Sequence, residues 1–533
     1  MKRNLLFIIA LFFCTLSYGQ GEIDAYRYSN NDLSGTARGQ AMGGAFGALG
    51  GDVTGVAVNP AGIGVYRSSE ALANMSLTSP VISGNTNQQS YTKFQFDNLS
   101  YISYYPLVKG SMLSLNFGFN YSRIKNFNQT YTASSPKMNS SLTDYMALLT
   151  KGISSSAWTG NTDDYYRNAN IPWLSALAWD GYLITEPDAN NNYSSILTRD
   201  PAHPELNETV RPALKVSEKG RVEAYDFTVG SNIADKFYWG ATFSITDMWY
   251  LMNSSYDEQF SKDGSFKHDD GSFRLENYLE TKGSGIQIKA GVIFKPVEAL
   301  RIGVAYHSPT WYTLTDYYWA GLTPNLSPRG IQGAGYTETP YPSSSTDYRV
   351  RTPGSWTVSL AGVLGTKAII SLDYELKDYS AMNLKDSQGA DYTDTNDFMS
   401  NDYKNTSMLR AGLEFRFTPQ FSGRVGYAWA QSPYQSKVNA FGANFNTGDV
   451  TVTAGTVPNY TLAGDVSYLT AGVGFKFTPQ FYADFALVLR SQTDDLYYFT
   501  PIIDKTQTEK FDSYAGAFTN KTLKGLITLG YKF

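Results

Sequence analysis

The chain has 533 residues and a formal net charge of −5, with charged residues at 17% and aromatics at 15%. Charge is sparse against the roughly 25% of ordinary soluble domains. No cluster of Lys and Arg offers a phosphate-binding surface, which argues against nucleic acid as a partner. Mean hydropathy is −0.30, which excludes a helical membrane protein.

The first predicted element is a leader. Lys2 and Arg3 precede an almost wholly apolar stretch, Leu5 to Leu16, and then Ser17-Tyr18-Gly19-Gln20. A basic start, a short apolar run and small residues at −3 and −1 describe a signal peptide over residues 1–19. The lone cysteine, Cys14, lies inside it, and Phe13 is too large for a lipoprotein site. Losing Lys2 and Arg3 takes the net charge from −5 to −7 and leaves no disulfide or thiolate chemistry.

Residues 20–66 come next. They contain Ala41-Met-Gly-Gly-Ala-Phe-Gly-Ala-Leu-Gly-Gly51 and Asn59-Pro-Ala-Gly62. The segment is small, Gly-rich and weakly charged, a poor soluble domain that suits tight packing inside a lumen. Its glycines are not a phosphate cradle, since no Lys-Ser or Lys-Thr follows them and no strand precedes them.

From residue 67 the chain reads as strands. Period-two alternation marks 71–79, 91–105, 110–123, 221–232, 236–250, 272–294, 298–308, 347–363, 366–379, 405–417, 420–430, 464–478, 480–491 and 522–533, fourteen in all. An even count is what a single-chain outer-membrane barrel requires. Connections after the even strands are short, such as Thr418-Pro-Gln420 and Thr478-Pro-Gln480, and those after the odd strands are long. Short turns belong to the periplasm, so both termini are expected there. Two hairpins repeat: LRAGLEFRFTPQFSGRVGYAW (409–429) and LTAGVGFKFTPQFYADFALVL (469–489), with a looser copy, IKAGVIFKPVEALRIGVAYHS, at 288–308. In the first, Leu409, Ala411, Leu413, Phe415 and Phe417 share one face, and Arg410, Gly412, Glu414 and Arg416 the other. Such a charged face cannot sit in a dry core but can line water. Long outer connections are expected at 124–220 and 309–346. The first carries helical spacing at Leu142, Tyr145, Met146 and Leu149, after Ser141, and an apolar stretch with Trp173 and Leu177 after Pro172. That pair packs on the loop's own core or forms a greasy landing site. The C-terminal strand, Leu523 to Phe533, alternates and ends on an aromatic, as a strand closing a lipid-embedded barrel should.

The stretch AMGGAFGALGGDVTGVAVNPAGIGVYRSSE (41–70) resembles the plug of the long-chain fatty acid transporter family (FadL/TodX) of Gram-negative outer membranes. The similarity rests on the small-residue run with Phe46, on Asp52 and on Asn59, Pro60, Ala61 and Gly62. It continues through Gly303-Val-Ala-Tyr-His-Ser308 and through Thr352-Pro-Gly-Ser-Trp356, which leads to Asp373-Tyr-Glu-Leu-Lys-Asp-Tyr379. The resemblance implies an all-β, 14-stranded outer-membrane barrel blocked by an N-terminal hatch. A hydrophobic ligand, a long-chain fatty acid or similar compound, lands among the outer loops and passes to a pocket against the hatch. It leaves around the hatch or sideways through a gap at a kinked third strand, for which Gly110 and Gly118 are candidates. Arg38 is the one basic residue offered for a fatty carboxylate, against its pairing with a lumen Glu or Asp.

The expected partners are a hydrophobic small molecule and outer-membrane lipid, with a protein held at the outer loops as the scaffold alternative. Haemin-type uptake is a further alternative, but His203, His268 and His307 are scattered without ligand spacing, so no metal site or cofactor is expected. Asp316, Asp373 and Glu375 are ordinary lumen charges, and no enzyme activity is expected.

Overall fold

In the computed structural model, the structure describes residues 21–84, 92–159, 165, 166, 168, 171–200, 202–340, 344–435, 456–500, 502, 503 and 510–533. The leader expected at 1–19 lies outside these.

Fourteen antiparallel strands close into one barrel. They are β1 (Glu70–Gly84), β2 (Lys93–Pro106), β3 (Met112–Asn126, continued by Gln129–Ser134), β4 (Thr209–Ile233) and β5 (Phe237–Ser261). Then come β6 (Ser272–Val297), β7 (Leu300–His307, continued by Trp311–Asn325), β8 (Ser344–Arg351, continued by Ser355–Leu364) and β9 (Ala368–Asp378, continued by Asn383–Asp386). The last are β10 (Asn405–Arg416), β11 (Phe421–Ala430), β12 (Tyr460–Lys476), β13 (Phe481–Tyr497) and β14 (Tyr514–Lys532). The ring closes where β14 pairs with β1 over the whole of β1, from Glu70↔Lys532 to Gly84↔Phe518.

Each segment read from alternation is a strand of this barrel. The outer connections are shorter than expected, because four strands run on beyond the lipid. β4 begins at Thr209, not 221, so the insertion expected at 124–220 narrows to 135–208. The connection expected at 309–346 narrows to 326–343, since Trp311–Asn325 continues β7. In the outer halves the alternation changes phase. Arg211, Lys215 and Lys219 are exposed while Val210, Leu214 and Val216 turn inward and are buried. Near the other end of the same strands, Phe227, Phe243 and Ile245 face outward and Thr228, Thr242 and Ser244 inward. A strand passing from lipid into water must exchange its faces in this way.

Above the barrel, the long connections fold inward as a cap. Two of its helices, α4 (Leu142–Thr150) and α5 (Trp173–Asp180), lie in one large apolar core with Val210, Tyr256, Phe260 and Leu322. Ser141 caps α4 by accepting the Thr143 N–H, and Asp144 returns the bond to the Ser141 N–H at 2.8 Å.

Inside the barrel, residues 21–66 form α1 (Glu22–Ser29), α2 (Ala37–Ala41), α3 (Val53–Val58) and a 3₁₀ turn (Pro60–Val65). The segment begins at the capped end, not the periplasmic end expected for the N-terminus. Ile23, Ala25 and Tyr28 of α1 belong to the cap core, and the Tyr403 hydroxyl donates to the Glu22 carbonyl at 3.1 Å. The C-terminus does lie at the short-turn end, where the Phe533 N–H donates to the Ser69 carbonyl. Between these ends the segment rests on inward-facing glycines of the wall. A Cβ on Gly303 would lie 2.5 Å from the Gly47 carbonyl oxygen, and one on Gly412 2.5 Å from that of Met42. Gly240 faces the Pro60 carbonyl, Gly291 the Asn59 side chain and Gly426 the Gly43 N–H just as closely.

Replacing Gly291 with Val should leave the barrel able to close but unable to seat Asn59. The expected result is a heat-modifiable band on gels as in wild type, with increased permeability of cells to polar antibiotics. Unchanged permeability would show that the contact at Gly291 does not hold the segment.

Candidate functional site

The lower lumen is filled by residues 36–65, held by hydrogen bonds to strands all round the ring. Asn59 is the centre of this arrangement. Its side-chain amide donates to the carbonyls of Gly47 at 2.7 Å and Val292 at 3.1 Å, and its oxygen accepts the Ala61 N–H. Pro60 then starts the 3₁₀ turn without needing a donor. Gly62 packs on Gly50 and Gly55, where a Cβ would lie 3.2 Å from each backbone. Asp373 accepts the N–H groups of Phe46 and Gly47, both at 3.0 Å. Asn116 donates to the Ile63 carbonyl, His307 shares a bond with the Val58 carbonyl, and Thr470 joins Gly43 and Ala41.

Arg38 is not free to meet a carboxylate from outside. Its guanidinium makes two bonds to Glu414, at 2.8 and 3.2 Å, and lies over the Phe46 ring. Glu414 also accepts from Arg424 at 2.7 Å, and Arg424 reaches on to Asp484. This chain of four charges ties α2 to β10, β11 and β13. Phe46 itself is fully buried beneath it.

Above this packed layer lies an open chamber. Two adjoining cavities of about 220 and 200 Å³ share Tyr26, Asn30, Asp32 and Leu33, so α1 and the chain after it run between them. The walls are largely polar. Arg27, Lys93, Arg123, Lys125, Arg490 and Lys524 meet Asp32, Asp97, Glu218 and Asp494, with many Asn and Gln side chains between them. Most charges are paired: Lys125 with Asp32 at 3.3 Å, Arg123 with Glu223 at 3.2 Å, Lys524 with Asp97 at 2.8 Å, and Lys289 with Asp226 at 3.2 Å. No local pattern marks these residues, which come from distant strands, as converging.

The chamber has one side where the wall is not closed by backbone pairing. β2 and β3 pair from Pro106↔Ser114 up to Asn98↔Ser122 and no further among the described residues. Beyond that point β2 continues through Lys93–Asp97, paired only with β1, and β3 bends away with β4. The bend lies at the interruption between Asn126 and Gln129. There the upper arm of β3 turns into the lumen, stacking Tyr131 on Phe518 and bonding Gln129 to Asn520. A side-chain bridge, Lys93 to Asn128, crosses the seam. On its outer side stand Leu77 and Phe94, exposed to lipid, and Phe96 stacked on Tyr121.

The glycines expected to kink β3 are elsewhere. Gly110 sits in the β2–β3 turn with φ +93° and open space around it. Gly118 lies within an unbroken part of the ladder, where its missing side chain makes room for Ile63 and Ile102. The glycine at the bend is Gly220, across the ladder in β4. Its φ is +136°, and its carbonyl accepts the Phe127 N–H. Only a residue without Cβ adopts that backbone without strain. The sequence signal is a Gly between Lys219 and Arg221, in a stretch whose charged outer face looks like loop.

The outer-loop residues expected as a landing site are largely interior. Leu142, Met146 and Leu177 have no exposed surface, and Tyr145 is buried. Leu149 and Trp173 are half-buried, packed against the same core. They hold α4 and α5 together and present no open apolar face. His203, His268 and His307 do not converge: His203 is in the cap beside Asp200, His268 in the β5–β6 connection and His307 against Val58.

Residues 274–497 match the family described as outer membrane protein transport protein (OMPP1/FadL/TodX). Among solved structures, a FadL homologue of Pseudomonas aeruginosa is 13% identical, with 95% of this chain and 100% of that chain covered and a TM-score of 0.49. The toluene transporter TodX of Pseudomonas putida is 12% identical, with 94% and 99% covered and a TM-score of 0.44. No curated protein matches.

Removing one partner of a buried ion pair costs about 3–5 kcal/mol. Glu414→Gln should therefore lower the thermal midpoint by several degrees, at the low end of that range because Arg38 is 23% exposed. Arg38→Gln added to it should recover part of the loss, read by heat-modifiability against temperature. In the cap, burial raises the Asp180 carboxyl to about 6. A raised acid favours the fold when protonated, so its contribution is full below the unfolded value of 3.8 and lost as pH rises through about 6. Protease resistance of the cap should fall over that window in wild type and stay level in Asp180→Asn.

Proposed function

We propose that this chain, whose residues 274–497 match the OMPP1/FadL/TodX transport family, is an outer-membrane barrel of that family that passes lipophilic compounds with a polar end, such as long-chain fatty acids, across the outer membrane without an energy source. The family is one of transport channels rather than enzymes. The observation that carries the reading is the unpaired upper seam between β2 and β3. It joins a polar chamber to the lipid side of the wall beside Leu77, Phe94 and Phe96.

The physical case runs through hydration. An apolar chain left in water costs about 0.8 kcal/mol per CH₂, so a water-filled pore is a poor route for it. With the lower lumen filled by residues 36–65, the seam offers another. A polar head keeps its hydrogen bonds among Lys93, Gln95, Asn128 and Gln129 while the chain slides past Phe94 and Phe96 into the bilayer. Burying those wall groups against hydrocarbon alone would cost about 1–3 kcal/mol for each one left unpaired. That favours an amphiphile over a plain hydrocarbon. The cap has to part for entry from outside, because its apolar core covers the chamber.

Closing the seam tests this directly. Cysteines replacing Gln95 and Asn128 can be joined by a short bifunctional thiol reagent, since the only native cysteine is Cys14, within the expected leader. Uptake of a fluorescent long-chain fatty acid by cells is expected to fall at least tenfold after joining and to stay normal in either single variant. Full uptake with the seam joined would refute the lateral route. Mass spectrometry of purified protein is expected to find an amphiphile enriched over a seam-joined control.

A further inference from the structure

At the periplasmic end the wall carries a regular arc of positive charge that the transport reading does not use. Lys367, Arg416, Lys476 and Lys532 stand at the mouth ends of β9, β10, β12 and β14. Backbone bonds keep them level. The Arg416 N–H donates to the Lys367 carbonyl at 2.8 Å, that of Lys476 to Gln420 at 2.9 Å, and that of Lys532 to Gln480 at 2.9 Å. Each cation closing a hairpin is thus tied to the turn of the hairpin before it. Lys295 repeats only the backbone pattern on the facing side: its N–H donates to the Lys236 carbonyl at 2.7 Å, while its side chain is paired with Glu298 at 3.1 Å and lies outside the arc.

These cations do not serve the lipid. Arg416 follows Glu414 in the inward register, and Lys476 follows Gly474. The alternate, outward positions are Phe415, Phe417, Phe475, Phe477, Tyr531 and Phe533, all exposed on the lipid side. Nor are the cations neutralised by neighbours. Lys532 has Glu70 at 3.9 Å, but Lys367, Arg416 and Lys476 have no ion-pair partner among the described residues. Between Arg416, Lys476 and Lys532 on one side and Arg38 and Asp52 on the other, a cavity of about 250 Å³ opens beside the internal segment; its other acids are already engaged, Glu414 and Asp484 by Arg38 and Arg424 and Glu70 by Lys532. The chain as a whole carries a net charge of −5, so this patch runs against the overall balance.

We propose that this mouth is a docking surface for an acidic soluble protein of the periplasm, with an acidic side chain of that partner seated in the cavity beside Arg416 and Lys476. The arc spans five strand intervals from β9 to β14, about 24 Å at ~4.8 Å each. One small anion covers a fraction of that length, whereas an acidic protein segment matches it. Charge of this kind steers encounter more than it adds affinity, and is screened beyond about 8 Å at physiological salt. The benefit to a lipophilic cargo rests on the transport reading: a protein held at the mouth shields the cargo from water on the periplasmic side.

The test uses the full chain in phosphatidylcholine nanodiscs and a labelled peptide of ten glutamates as probe. Binding is expected to weaken at least tenfold in the triple variant Lys367→Gln, Arg416→Gln, Lys476→Gln, and to hold in Lys215→Gln, Lys219→Gln, which removes charge at the far end of β4. Heat-modifiability confirms that both fold. In cells, a photo-crosslinking residue at Gln420 is expected to trap an acidic periplasmic protein in the wild-type background and not in the triple variant. Equal peptide binding by the triple variant would overturn the proposal. So would displacement by free acetate at the same carboxylate concentration, which would mark a small-anion site. Failure of the transport reading would show separately, as no amphiphile enriched on the purified protein with peptide binding intact.

Discussion

Backbone lies directly against backbone where residues 36–64 meet the inner wall, at Gly240, Gly303, Gly412 and Gly426. That closeness is the constraint from which the rest follows. It requires wall positions without side chains at one level of many strands. It leaves the internal segment able to satisfy its own polar groups only through the wall, as Asn59, Asp373 and Thr470 do. It also fixes where the chamber can be, because space remains only above the layer of contact. Packing of this density has few voids and transmits strain, so it does not yield gradually.

The glycines of this layer were visible in the sequence, but their purpose was not. The repeated Ala-Gly of the hairpins, at Gly291, Gly412 and Gly472, was legible as an inward face shared with Arg410, Glu414 and Thr470. Nothing local distinguishes a glycine that faces water from one that faces another part of the chain. The fourteen strands could be counted because lipid on one side and a wet lumen on the other impose strict alternation. Where β4, β5, β7 and β8 leave the lipid, the rule still holds but with its faces exchanged. Val210, Leu214 and Tyr256 turn inward to the cap and charged residues turn out. A reading that expects one phase takes such a stretch for loop, as at 209–220 of β4, 251–261 of β5 and 311–325 of β7.

The chamber and its seam were beyond reach for a different reason. The seam is defined by which strands fail to pair, and pairing is a property of the assembled ring. Gly220 governs the bend of β3 from the neighbouring strand, through one bond to Phe127. The residues read as a landing site illustrate the same limit. Helical spacing at Leu142, Tyr145, Met146 and Leu149 correctly marked a helix with an apolar face, but not what that face meets. In the folded chain it meets the inner faces of the tall strands, and Arg329, bonded to Glu208 and to the carbonyls of Asp270 and Ile196, draws three connections together over it.

The strands that hold the cap are very unequal in length. β4, β5 and β6 have 25, 25 and 26 residues, while β10 and β11 have 12 and 10. At ~3.3 Å per residue and a tilt of ~40°, the sheet on one side rises about 35 Å higher than on the other. The barrel is therefore a tube cut on a slant. Its high side stands as a screen within the sugar chains that coat the cell, and its low side ends near the headgroups. Antibodies and phages approaching from solution meet mainly the screen, whereas a molecule already lying in the outer leaflet meets the low edge.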